Sequence, residues 1–149
     1  MSAAGAHYVT SLDRVGLALG AGGALAGIVA AVLVALAGGV TLAGLVIGWL
    51  LGALIAMLAI VAVAGPVWLA LHLANRRGPA AAALTGFALT LAIFSIGQSW
   101  GFGMFGTPAS DPAVYAYRLV SAVATSLLVA LAAAAIGWAM HRIAYRRLF

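Results

Sequence analysis

LVIGWLLGALIAMLAIVAVAGPVWLALHL, residues 45–73, contains no charged side chain other than one histidine. A helix rises 1.5 Å per residue, so about 20 residues cross the roughly 30 Å hydrocarbon core of a bilayer. This stretch is longer than one crossing needs and too short for two crossings joined by a turn. It reads as one long transmembrane helix. Tilt absorbs part of the excess length. Pro66 offers a second route, because it frees a carbonyl one turn earlier and permits a kink. Asn75-Arg76-Arg77-Gly78-Pro79 then ends the segment.

The rest of the chain has the same character. Hydrophobic residues make up 66% of its 149 residues and charged ones 6%, with no glutamate, lysine or cysteine. Such a chain has too little polar surface to cover a soluble domain. The fold class expected is an all-α integral membrane protein, with one transmembrane domain over residues 1–149. Four spans are expected, at about 15–37, 45–73, 80–100 and 118–140. Residues 101–117, GFGMFGTPASDPAVYAY, are expected to form an interfacial outer loop. Within it Asp111 has the side chain for a helix N-cap, and Pro112 suits the first helical position. Ala35-Leu36-Ala37 fits a signal-cleavage pattern, but the preceding apolar run is longer than a signal peptide uses and its head carries one arginine. Span one is therefore expected to remain a span.

With four spans, Arg14, Arg76, Arg77, Arg142, Arg146 and Arg147 fall on one side and Arg118 on the other. The positive-inside rule then puts both termini in the cytoplasm. A multi-pass protein of the bacterial cytoplasmic (inner) membrane is expected. Trp49 and Trp100 fall at the outer interface and Trp68 and Trp138 at the inner one, the usual level for amphipathic rings. The formal charge of +5 sits in short tracts at span ends. These meet anionic lipid headgroups and lack the broad footprint that nucleic acid needs.

Lipid is as apolar as leucine, so helices in a bilayer associate through close approach of small residues. Gly16, Gly20, Gly23 and Gly27 mark such a face on span one. Gly44, Gly48, Gly52 and Ala56 mark one on span two, each four residues from the next. Spacing of four keeps them on one side of a helix.

Polar groups inside the spans are few. Thr85, Thr90, Ser95, Thr125 and Ser126 are expected to bond back to their own helix or pack against a neighbour. His72 and His141 fall at similar depth on different spans, the arrangement a bis-histidine haem requires. They are the weak cofactor candidates; no cofactor and no metal is predicted. Gln98, Trp100, Phe102, Phe105, Tyr115 and Arg118 are expected to form an outer-face contact for lipid, quinone or a partner. The patterns G-x-S-x-G, H-E-x-x-H and the P-loop do not occur.

The functional expectation is a non-catalytic structural or accessory subunit of a larger integral-membrane complex, with other membrane subunits as partners. One alternative is a homo-oligomeric channel or transporter component. Another is a haem- or quinone-associated membrane anchor of an electron-transfer enzyme.

Overall fold

A computed structural model describes residues 7–38, 41–76, 78–98 and 111–148. It contains four helices long and apolar enough to cross a membrane: Leu12–Leu36, Leu42–Leu73, Pro79–Ile96 and Pro112–Ala144. We label the first α1. The second is three pieces in one rod: α2 (Leu42–Ala59), a π-helical turn (Ile60–Ala64) and α3 (Gly65–Leu73). The third is α4 and the fourth α5.

Local chemistry sets the ends. Gly38 follows α1 at φ +91, a left-handed conformation that glycine adopts without a Cβ penalty. Thr41 caps α2 by accepting the Gly44 amide at 3.1 Å. Asn75 ends α3 at φ 61, while the Arg76 amide reaches back to the Leu71 carbonyl at 2.9 Å. That is the Schellman closure, with asparagine in the place glycine commonly takes. Asp111 caps α5 by accepting the Ala113 amide at 2.9 Å, and Pro112 follows at the first helical position. Residues 112–117 therefore belong to α5, and the outer loop read as 101–117 is shorter at that end. A cap and a proline that suit a helix start outweigh the aromatic content that made the stretch read as loop.

Pro66 does not break the second rod. It lacks an amide hydrogen, and just before it the ladder switches to i→i+5 bonds, with the Gly65 amide donating to the Ile60 carbonyl. The widened turn absorbs the proline and keeps the rod continuous.

The helices pack as two hairpins, α1 with α2 and α4 with α5, joined where α1 lies along α5. The α3 segment and the π turn only brush α4, so the ring of helices is left slack on that side. Two short strands, β1 (His7–Val9) and β2 (Arg146–Leu148), pair antiparallel and tie the two ends of the chain together. The sequence reading did not anticipate this ribbon. The ribbon, the end of α3 and the start of α4 share one end of the bundle, which also carries Arg14, Arg76 and Arg142.

Side-chain size is distributed inside out. The buried apolar residues within the helices are Ala18, Ala53, Ala122 and Ala130, with Gly22, Gly23 and Gly27 beside them. Large residues point outward: Ile55 is 65% exposed, Leu58 70% and Leu128 69%. In water that surface would be one continuous apolar patch, far beyond what soluble monomers expose. In lipid it costs nothing, and the small interior lets backbones meet.

Candidate functional site

The glycine contacts define where the bundle is tight. A Cβ on Gly27 would lie 2.5 Å from the Trp49 carbonyl oxygen and 2.8 Å from its ring Cδ1. One on Gly23 would lie 2.5 Å from Met57 Cγ. Gly48 meets Val34, and Gly52 meets Ala30. The α1–α2 seam thus uses Gly23, Gly27, Gly48 and Gly52. Gly44 and Ala56, on the same helix, are half-buried. Gly16 and Gly20 are exposed, and among the described residues nothing lies within 4 Å of an added Cβ at either. They stand apart from the seam, because four-residue steps drift around a helix of 3.6 residues per turn.

The second hairpin has its own seam, which the sequence reading missed. A Cβ on Gly86 would lie 2.6 Å from the Ala133 carbonyl, and one on Gly137 2.7 Å from the Ala82 carbonyl. Ala82 and Gly86 are four apart, as are Ala133 and Gly137, so the spacing was present in the sequence. Gly22 completes the packing by admitting Met140 from α5.

Polar groups reinforce these seams. The Trp49 indole Nε1 donates to the Ala24 carbonyl across the α1–α2 interface at 3.1 Å. Gln98 is buried, and its Nε2 donates to Ser126 Oγ at 3.0 Å and to the Ala122 carbonyl at 3.3 Å. Gln98 is therefore a bolt between α4 and α5. The expectation that it lies on an outer contact surface is corrected by that inward turn: a buried amide takes the acceptors a neighbouring helix offers. Tyr115 is half exposed in the first turns of α5, with Arg118 partly buried below it. Trp100, Phe102 and Phe105 lie outside the described residues. Thr85 and Thr125 each bond back to the carbonyl four residues earlier, at 2.8 Å.

Where the ring is slack, a cavity of about 560 Å³ lies between the π turn with α3 on one side and α4 with α5 on the other, with Val15, Ala18, Leu19 and Ala26 of α1 and Ala56 and Ala59 of α2 completing its wall. Its wall is apolar for most of its length, including Ile60, Ala64, Leu89 and Ile93. One end is different. Trp68, His72, Arg76, His141 and Tyr145 meet there. The His72 Nδ1 and the Tyr145 hydroxyl are 3.2 Å apart. Tyr145 also stacks on His141, with centroids 4.8 Å apart, and lies beside Trp68 at 6.4 Å. Arg142 sits over the Trp138 ring at 4.6 Å, a cation–π contact on the outer side of the same end.

His72 and His141 are thus brought to one place, but they meet through Tyr145, whose ring lies against both. Among the described residues no group of three or more histidine, aspartate or glutamate side chains gathers in metal-binding reach. The sequence showed Tyr145 only as four residues from His141. Its reach across to α3 depends on how the two hairpins close, which spacing within one helix does not encode.

Comparison of the chain with protein-family models, with curated proteins and with solved structures finds no match.

Proposed function

We propose that this chain is a non-catalytic accessory subunit of a larger integral-membrane complex, and that a transmembrane helix of a different subunit packs on the Gly16–Gly20 face of α1. One observation carries the reading. Gly22, Gly23, Gly27, Gly48, Gly52, Gly86 and Gly137 are used internally, against Met140, Met57, Trp49, Val34, Ala30 and the carbonyls of Ala133 and Ala82, while among the described residues nothing lies within 4 Å of a Cβ added at Gly16 or Gly20. Adjacent small residues one turn apart are what a second helix needs for backbone contact in lipid. The inside-out distribution of side chains supports placement in a bilayer. The arginine excess at the end shared by the two termini supports a cytoplasmic location for that end.

A photoreactive amino acid at Leu17, which is 67% exposed beside the two glycines, tests the reading in intact membranes. The expected product is a discrete adduct with one different membrane protein, lost when Gly20 is replaced by leucine. The same probe at Leu128 on α5 is expected to capture lipid. An adduct of twice the chain's own mass would replace this reading with a homo-oligomer, and lipid alone at Leu17 would remove the partner.

A further inference from the structure

We propose that the cavity between α3 and α4 is a site for one anionic phospholipid of the surrounding bilayer, with an acyl chain along the apolar wall and the phosphate at the Arg76 end. The inference rests on the cavity and not on the Gly16–Gly20 face, although Val15, Ala18, Leu19 and Ala26 of the same helix α1 line the cavity.

Length and lining decide what fits. From Gly78 to Ile93 the α4 side of the cavity is about 22 Å long at 1.5 Å per residue. Ile60, Ala64, Leu89 and Ile93 line it with aliphatic groups, the wall an acyl chain packs against. One leaflet's hydrocarbon is about 15 Å deep, so the length suits a chain that enters at headgroup level and runs toward the midplane. The weak contact of α3 and the π turn with α4 leaves a side door through which a bilayer lipid reaches the cavity without crossing water.

Charge decides which lipid. The charged and ring-nitrogen groups of the lining gather at one end, and that end carries Arg76, exposed at the mouth; Thr85 and Thr90 lie farther along α4, where Thr85 donates its hydroxyl to the Ala81 carbonyl at 2.8 Å. Gly78 opens α4 in the same lining without a side-chain cap, which adds the partial positive charge of a helix start. Among the described residues no carboxylate lines the cavity; Asp13 and Asp111 are both elsewhere. His72 and Tyr145 add hydrogen-bonding groups beside the arginine. A guanidinium with nearby donors recognises a phosphate. A neutral quinone head leaves the cation uncompensated, and a zwitterionic choline headgroup brings a second positive charge to a positive mouth.

The full chain in nanodiscs of equimolar phosphatidylglycerol and phosphatidylcholine with identical acyl chains provides the test, read by native mass spectrometry after release. Wild type is expected to retain one phosphatidylglycerol. Arg76→Gln is expected to lower the preference over phosphatidylcholine about fivefold, the effect of one basic residue near a membrane surface. Filling the cavity by Ala64→Phe, or by Leu89→Trp if the first variant does not stay monodisperse, is expected to abolish retention of either lipid. Equal retention of the two lipids by wild type would overturn the headgroup assignment. Unchanged retention in a monodisperse filled variant would overturn the cavity assignment, as would a quinone or a protein segment recovered in place of lipid. Loss of the partner adduct at Leu17 with lipid retention intact would count against the assembly reading alone.

Discussion

Gly27 and Trp49 face each other at the tightest point of the α1–α2 seam: a Cβ on Gly27 would be 2.5 Å from the Trp49 carbonyl oxygen. One turn earlier on α1, the Ala24 carbonyl accepts the Trp49 indole hydrogen at 3.1 Å. The missing side chain brings the backbones together, and the hydrogen bond then fixes their register. Trp49 was read as an outer-interface anchor. It is 37% exposed, and its polar edge is spent on the neighbouring helix.

Gly27→Leu is expected to separate α1 from α2, because the contact is with backbone that has no rotamer to yield. Overpacking of this kind costs about 1–3 kcal/mol or more. Trp49→Phe removes the interhelical bond, for about 0.6–2 kcal/mol, together with the pyrrole edge of the ring, and leaves the backbone contact with Gly27 in place. Thermal stability in mild detergent should therefore fall further for Gly27→Leu than for Trp49→Phe. The opposite order would mean that the ring, and not the glycine, governs the seam.

The second hairpin should respond in the same way. Gly86→Leu and Gly137→Leu each drive a side chain into a carbonyl of the facing helix. Both are expected to destabilise the chain, whereas Leu84→Ala on the exposed side of α4 should change little. Detergent-resistant folding measured by size-exclusion fluorescence separates the cases.

Gln98 and Ser126 supply a polar test of the same seam. Gln98→Leu leaves the buried Ser126 hydroxyl, 1% exposed, without the amide that now meets it. The expected loss is about 1–2 kcal/mol, within the range for interhelical polar contacts. Ser126→Ala should cost less, since the Ala122 carbonyl still accepts from Gln98. Equal stability of both variants and wild type in a denaturant titration would show that the amide is dispensable.

Orientation is checked with single cysteines in a chain that has none of its own. An impermeant thiol reagent on intact cells is expected to label Ser110→Cys and to spare Gly78→Cys. The reverse pattern would invert the proposed topology.

The four long helices were legible because length and composition alone decide whether a segment can cross a bilayer. Caps were legible where one residue type does the work, as at Asp111. The cavity was not, since it arises from a failure of contact between α3 and α4, and sequence spacing reports faces within a helix only. The π turn was half legible: Pro66 announced a disturbance in the ladder, but whether the rod kinks or widens depends on its neighbours. Gly20 shows the converse limit. Its spacing from Gly16 resembles that of Gly48 and Gly52, yet only the fold reveals which pair is used inside the chain.

The most direct measurement is native mass spectrometry of the complex after gentle extraction from its own membrane. Wild type is expected to appear bound to a different membrane subunit, and Gly20→Leu as a folded, monodisperse chain of about 14.9 kDa, since among the described residues nothing lies within 4 Å of a Cβ added there. A wild-type chain that leaves the membrane alone, or a Gly20→Leu variant that keeps its partner, would contradict the account.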